Sequence, residues 1–326
     1  MSKHGGQDVT WVIGAGGLLG SALSRNLAAD GGSLANPSVI PWDQPSIARD
    51  ALRLGARELL DRAESTGGRW RVAWCAGAGV TGTTDAALQD EVAALTAVLD
   101  ALADQLADTG SDPKSGAVFI ASSVGGVYAG SAASPFTEDD PPEPTSAYGR
   151  AKLAGEQVAH RFADSTGVPV VIGRITNLYG PGQNLAKPQG LISHLCRAQL
   201  TREPITIYVS LDTIRDYLYV DDCADMIRSA LAGAGGVTGS GSRVVTKILG
   251  SHQGVTIGAL LGEFRRVFKR SPQVVLGTSA TARYQASDLR VRSVVWPELD
   301  HRAMTALPAG IAATSEDLFR RIQLAG

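Results

Sequence analysis

Cysteine, methionine, lysine and aromatic residues are all scarce in this chain of 326 residues, which holds three Cys, three Met, six Lys and 6% aromatics. Three cysteines, at positions 75, 196 and 223, are an odd number without metal-ligand spacing. Neither a disulfide framework nor a metal site is therefore expected, and a reduced cytoplasmic setting is the default. Charge of one sign is lacking too: 30 basic residues against 32 acidic ones leave a net charge of −2, and no basic block stands out. That excludes the electrostatic footprint of a nucleic-acid-binding protein. No apolar run reaches membrane-spanning length, and a polar Met-Ser-Lys-His-Gly-Gly start leads straight into an apolar strand, so neither signal peptide nor membrane anchor is expected.

What is abundant is glycine, 38 residues, and its placement is informative. The apolar run Val9 to Ile13 reads as a buried parallel strand. Gly14, Gly16, Gly17 and Gly20 follow it at once, and Leu18, Leu19, Ala22, Leu23 and Leu27 then open a helical period. In such a strand-turn-helix, Gly14 permits the tight turn, Gly17 lets a diphosphate approach the helix N-terminus, and Gly20 allows helix to pack closely on strand. A second strand is expected over Ser38 to Trp42, with Asp43 at its end placed to accept hydrogen bonds from an adenosine ribose and to disfavour a 2′-phosphate. NAD is therefore expected, with NADP possible. A third strand, Arg71 to Cys75, runs into Ala76 and Gly77, small residues against which adenosine can lie.

Further strands are expected at Val118 to Ala121 and Val168 to Ile172, and helices at Ala48 to Glu64, Cys223 to Leu231, Thr256 to Phe268 and Ser315 to Ile322. Asp221 and Asp222 are expected to cap the second of these helices, and Thr145 or Ser146 the helix carrying Tyr148. Alternating strands and helices define an α/β doubly wound parallel sheet.

Tyr148-Gly-Arg-Ala-Lys152 sets a phenol and an ammonium one helical turn apart on one face, so Lys152 can hold a positive field near a Tyr148 hydroxyl that donates or accepts a proton. Upstream lie Ser122 and Ser123, then Val127-Tyr128; downstream come Gly173-Arg-Ile-Thr-Asn177-Leu-Tyr179-Gly-Pro-Gly and Arg215-Asp-Tyr-Leu-Tyr-Val-Asp-Asp222. With the glycine turn, these segments resemble, in family order, an extended short-chain dehydrogenase/reductase of the nucleotide-sugar epimerase/dehydratase branch. The resemblance runs from about Val9 to about Ser251.

The resemblance implies a Rossmann-like domain over 1–176 and 216–250, and a smaller substrate-binding lid over 177–215 and 251–326. It implies Tyr148 as the acid/base on a sugar oxygen, Lys152 on the nicotinamide ribose, and a Ser hydroxyl orienting the substrate. In relatives that hydroxyl stands three positions before the Val of Val127-Tyr128, which here is Val124, a substrate-contact position. Ser123, with Ser122 in reserve, is expected to replace it. Asn177 and Arg215, with Lys187 beside them, are expected at the diphosphate of a nucleotide-diphosphate sugar.

Family dehydratases carry an Asp-Glu pair after the hydroxyl residue, where this chain reads Val124-Gly125-Gly126. Dehydration is thereby disfavoured, since water elimination needs both an acid and a base. A 4-epimerase and a 4-ketoreductase fit equally, a reductase of a non-sugar carbonyl is the alternative, and a non-catalytic cofactor-binding regulator stands behind both. Leu88, Val92, Leu95, Leu99, Leu102 and Leu106 form a seam of four-and-three spacing, from which a homodimer is expected.

Overall fold

Short apolar runs bounded by glycine, proline and polar residues build the sheet. In the computed structural model, which describes residues 6–35, 39–80, 82–132, 134–187, 189–234, 243–278 and 286–325, the chain begins β1 (Val9–Ile13), α1 (Leu18–Ala29), β2 (Ser33–Ala35), α2 (Pro45–Thr66), β3 (Trp70–Trp74) and α3 (Asp85–Thr109). It continues with β4 (Gly116–Ser123), α4 (Val124–Val127), α5 (Ala147–Thr166), β5 (Val170–Ile175), β6 (Asn177–Tyr179), α6 (Leu191–Thr201), β7 (Ile205–Ile207) and β8 (Ile214–Tyr219). The rest is α7 (Val220–Gly233), β9 (Val244–Leu249), β10 (Gly254–Thr256), α8 (Ile257–Phe268), β11 (Val274–Leu276), β12 (Asp288–Leu289) and α9 (Leu307–Ala325).

Six parallel strands form the main sheet in the order β2-β1-β3-β4-β5-β9. Every residue of β1 and β5 is buried, as a sheet covered on both faces requires. Leu52, Leu59, Leu99, Leu102 and Phe162 of α2, α3 and α5 cover one face, while Leu23, Leu27, Cys223, Met226 and Ile227 of α1 and α7 cover the other. The strand order reverses between β1 and β3, opening a crevice beyond their carboxyl ends. The long α2 fills the whole interval from Pro45 to Thr66, so β2 is the last strand on that side among the described residues. No described helix is long and apolar enough to cross a membrane.

A second sheet is centred on β8, which pairs antiparallel with β10 and parallel with β12 and β6. Thus 216–219 belong to this sheet and not to the parallel one. The helices α6, α8 and α9 bury Leu195, Phe264, Ile311 and Leu318 against Tyr179 and Tyr217, a separate apolar cluster.

Three expectations are corrected. The second strand is Ser33–Ala35 and not 38–42: Gly31, at φ 76, and the Gly32 N–H bonded to Leu27 O (2.9 Å) turn the chain so early that Ser33 already pairs with Val9. The described part, 39–42, is not strand. Val39 is 92% exposed, and Pro41 has no N–H to give a ladder. Asp221 and Asp222 sit in the first turn of α7 without capping it; Asp221 pairs with Arg25, and Asp222 accepts from Thr305 N (2.7 Å) and Oγ1 (3.0 Å). Of the seam of α3, Leu95, Leu99, Leu102 and Leu106 are buried in the core against the sheet, whereas Leu88 and Val92 line the groove between α3 and α5. The final helix is longer than expected, beginning at Leu307. The Gly233 to Gly241 loop falls mostly outside the described residues.

Two buried ionic groups brace the layers. Arg174 of β5 forks onto Glu156 of α5 (2.7 and 3.0 Å), and Ser122 of β4 donates to the same carboxylate, joining two strands to one helix. Lys247 of β9, 0% exposed, donates to Asp300 Oδ2 at 2.6 Å and to Ser293. His252 Nε2 lies 3.2 Å from Asp300 Oδ1, in a geometry that suits an ion pair better than a hydrogen bond. Burial disfavours the imidazolium, but Asp300 and then Asp216 more than reverse this, raising its pKa above 6.5.

Arg174→Met should lower unfolding free energy by about 3–5 kcal/mol in urea melts, because Glu156 is left buried without a counter-charge. A folded-state pKa raised above 6.5 means that His252 stabilises the fold fully below pH 6.5 and loses that contribution as pH rises through the folded value. Thermal melts of His252→Asn should therefore trail wild type most at acid pH and converge with it as pH rises.

Candidate active site

Gly14, Gly20 and Gly149 give the crevice its shape by letting backbone approach backbone. Gly14 has φ 90, and a Cβ there would stand 2.6 Å from Ala76 N, so the turns after β1 and β3 touch. A Cβ on Gly20 would stand 2.2 Å from Gly14 O, which sets α1 directly on the turn. The α1 N-terminus has Gly17 at its cap, no side-chain cap and no acid in its first turn. Its N–H groups thus face an exposed Ala15-Gly16-Gly17 rim with a positive helix end, a cradle suited to a diphosphate. Gly16 has no steric need to be glycine, for a Cβ there meets nothing within 4 Å. Leu19 is buried in the core and Leu18 is half-buried against it.

At the far side of the crevice, Ser146 caps α5 by accepting from Gly149 N at 3.1 Å, which places Tyr148 in the first turn. A Cβ on Gly149 would stand 2.1 Å from Gly126 O, so α5 rests on the backbone of α4. A Cβ on Gly126, in turn, would touch Tyr148 Cε1 (3.1 Å) and Ser123 Oγ (3.4 Å). Tyr148 and Ser123 therefore flank one glycine. Lys152 Nζ lies 5.7 Å from the Tyr148 ring centroid and 3.3 Å from where a Gly77 Cβ would be, so the third turn joins the group. Tyr148 and Lys152 are both half-buried, and Trp74, Glu91, Leu95 and Ile120 line the narrow cavity beside them. Burial pushes the Cys75 thiol up to about 12, which rules it out as a thiolate near neutrality.

The two serines diverge. Ser123 caps α4, its Oγ accepting from Gly126 N at 3.1 Å, so its hydroxyl hydrogen is left to donate. Ser122 is buried and donates to Glu156, away from the tyrosine's group. Val124 is 1% exposed in an apolar cluster with Tyr128, Phe136 and Leu289, so its side chain serves packing. Asp43 stands exposed in the turn before α2, well past the end of β2.

Asn177 and Arg215 lie on the adjoining strands β6 and β8, where Asn177 pairs in register with Tyr217. The Asn177 amide donates to Asp216 O (2.9 Å), and Arg215, 7% exposed, donates to Ile214 O (2.9 Å), its pKa drawn down by burial. Lys187 is half-buried in the loop before α6, where its backbone N–H donates to Asn184 O (3.4 Å) and its carbonyl oxygen lies 3.1 Å from His194 Nε2, apart from both residues. Asp216 is 0% exposed and holds Thr176 Oγ1 (2.7 Å), Ser251 N (2.8 Å) and Gln253 N (3.1 Å). Its pKa is raised by burial against these bonds. Glu91 and Glu156 escaped the sequence reading. Glu91 is an acid set among Leu88, Ala94 and Leu95 on the inner face of α3, which is the signal that marks it, whereas Glu156 follows Lys152 by one turn and carries no such signal.

The crevice at the switch point of this doubly wound sheet thus sets a glycine-shaped helix N-terminus on one side and the helix carrying Tyr148 and Lys152 on the other. The family model described as "NAD dependent epimerase/dehydratase family" matches residues 10–240, and the chain belongs to that family. Among curated relatives, an uncharacterized UDP-glucose epimerase of Bacillus subtilis is 34% identical over 113 residues, which is 35% of this chain and 34% of that protein. The chain thus spans about a third of that relative's length.

Among solved structures, the UDP-glucuronic acid 4-epimerase of Bacillus cereus with UDP-glucuronic acid and NAD superposes with a TM-score of 0.73 at 19% identity, over 97% of this chain and 100% of the other. RMD from Pseudomonas aeruginosa complexed with NADPH gives 0.75 at 21%, over 97% and 98%. These two show the shared fold.

Gly149→Ala should lower the thermal midpoint and displace the first turn of α5, since its new methyl would collide with Gly126 O. Gly16→Ala should leave the midpoint unchanged, and parallel thermal melts of the two variants check both outcomes.

Proposed function

We propose that the chain is an NAD-dependent nucleotide-sugar 4-epimerase or 4-ketoreductase. The observation that carries this reading is the meeting of Ser123, Tyr148 and Lys152 around Gly126 and Gly77, beside the glycine cradle. NAD, when bound, supplies the hydride acceptor and donor. The α1 N-terminus with Gly14, Gly17 and Gly20 holds its diphosphate, and Lys152 holds the nicotinamide ribose. Tyr148 takes the proton from the sugar 4-hydroxyl as the carbonyl forms and returns it as the carbonyl is reduced. Ser123 donates its free hydroxyl hydrogen to the same oxygen, while Asn177, Arg215 and Lys187 serve the nucleotide diphosphate.

Dehydration is disfavoured, because Val124-Gly125-Gly126 supplies no acid. A UDP-sugar is the favoured substrate, supported by the Bacillus relative and the Bacillus neighbour. The NADPH of the Pseudomonas neighbour makes NADP the cofactor alternative. In this reading 1–176 and 216–250 bind the dinucleotide, with 177–215 and 251–326 as the lid. A cytoplasmic setting fits the three free cysteines. A homodimer is proposed through the outward face of α3 and α5, where Gln89, Ala93, Thr96, Arg150 and Ala154 line an open groove of small and polar residues.

Tyr148→Phe should cut turnover of an accepted UDP-sugar by roughly 10²–10⁴-fold while dinucleotide binding persists. Unchanged turnover would refute the role of Tyr148. Dinucleotide released on denaturation decides between the activities: retained NAD points to an epimerase that recycles its hydride, and exchangeable NADPH to a reductase. Light scattering that returns a concentration-independent monomer mass removes the dimer.

A further inference from the structure

Glu91 is a half-buried acid on α3 whose carboxylate closes around the turn after β3. Its Oε1 accepts the backbone N–H of both Ala78 and Gly79, each at 2.6 Å. A Cβ on Gly79 would stand 2.6 Å from Leu88 Cδ2 and 3.3 Å from each carboxylate oxygen, so only glycine lets the backbone come this near. Gly77, at φ 147, bends the chain into the same grip, and the position of its absent Cβ lies 3.4 Å from Glu91 Oε2 and 3.3 Å from Lys152 Nζ. On its upstream side this turn abuts Gly14 through Ala76, and just downstream Val80 N is held by Thr83 Oγ1 at 2.9 Å. The segment that touches both the glycine cradle and Lys152 is thus tied to α3 at Ala78 and Gly79 by one oxygen.

We infer that Glu91 is a positioning residue of the dinucleotide cleft, holding the Gly77-Ala78-Gly79 turn in place as a hydrogen-bond acceptor. This rests on the proposed reading that the turn lines the cofactor. Because both amides bond to the same Oε1, acceptance and reach carry the role: a glutamine oxygen can take both bonds, whereas an aspartate, one methylene shorter, falls short of them.

The test is calorimetric titration of the full-length protein with NAD, alongside thermal melts without dinucleotide. Glu91→Ala and Glu91→Asp should each weaken NAD binding by about tenfold, the loss expected for two backbone hydrogen bonds, and Glu91→Gln should restore wild-type affinity. Restoration by Gln and not by Asp is an outcome that loss of charge cannot produce. Should Glu91→Ala fail to fold, the Gln and Asp variants decide alone. Wild-type affinity in Glu91→Asp, or a loss in Glu91→Gln as large as in Glu91→Asp, overturns the inference and leaves the proposed function standing. Absence of NAD and NADP binding by the wild type overturns both.

Discussion

Contact of backbone with backbone is the constraint on which the site depends. Gly20 meets the Gly14 carbonyl, Gly14 meets Ala76, and Gly149 meets the Gly126 carbonyl, each at a separation that no Cβ would allow. These junctions bring the first turns of α1 and α5 and the loop after β3 to one crevice. Glycine inside a helix costs about 1 kcal/mol relative to alanine. At Gly20 and Gly149 that cost is offset by an approach that a methyl group would forbid. A site assembled from rigid backbone contacts also needs little rearrangement to hold a ligand, since its donors already face the crevice.

The ionic bracing beneath the site serves the same end. Burying a carboxylate and a guanidinium is expensive, and a buried pair is seldom more stable than a well-packed apolar one. The Glu156–Arg174 pair sits two turns along α5 from Tyr148, and through Ser122 it also reaches β4, the strand that ends at Ser123. Helix and strand are thus locked to each other close to where their terminal residues must meet. An apolar contact at that place would allow sliding, whereas a forked pair with fixed donors sets one register.

Much of this was legible in the sequence wherever local pattern and tertiary demand coincide. The first strand, the glycine turn and the Tyr148/Lys152 helix stand where periodicity and spacing put them. Reading failed where a tertiary partner decides. Val39-Ile40 has the composition of a strand, yet the turn at Gly31 and Gly32 delivers the chain to β1 before it. The α3 seam has the spacing of a helix pair, but from Leu95 to Leu106 a sheet occupies that face. Asp221 and Asp222 have the type and position of caps, and Arg25 and Thr305, distant in sequence, claim them instead. Ser122 and Ser123 are adjacent and chemically identical; strand alternation sends one inward to Glu156 and the other to the crevice, a distinction of phase that sequence alone does not display.

The ammonium of Lys247 bears on the order in which the chain can fold. It lies wholly inside the last strand of the parallel sheet, yet its counter-charge, Asp300, belongs to a segment synthesised some fifty residues later. Until that segment arrives, docking of β9 would seal a cation without a partner, at a cost of several kcal/mol. The sheet can therefore assemble through β5 as the chain emerges from the ribosome, while its final strand waits. Completion of the parallel sheet is in this way made conditional on synthesis of the C-terminal segment.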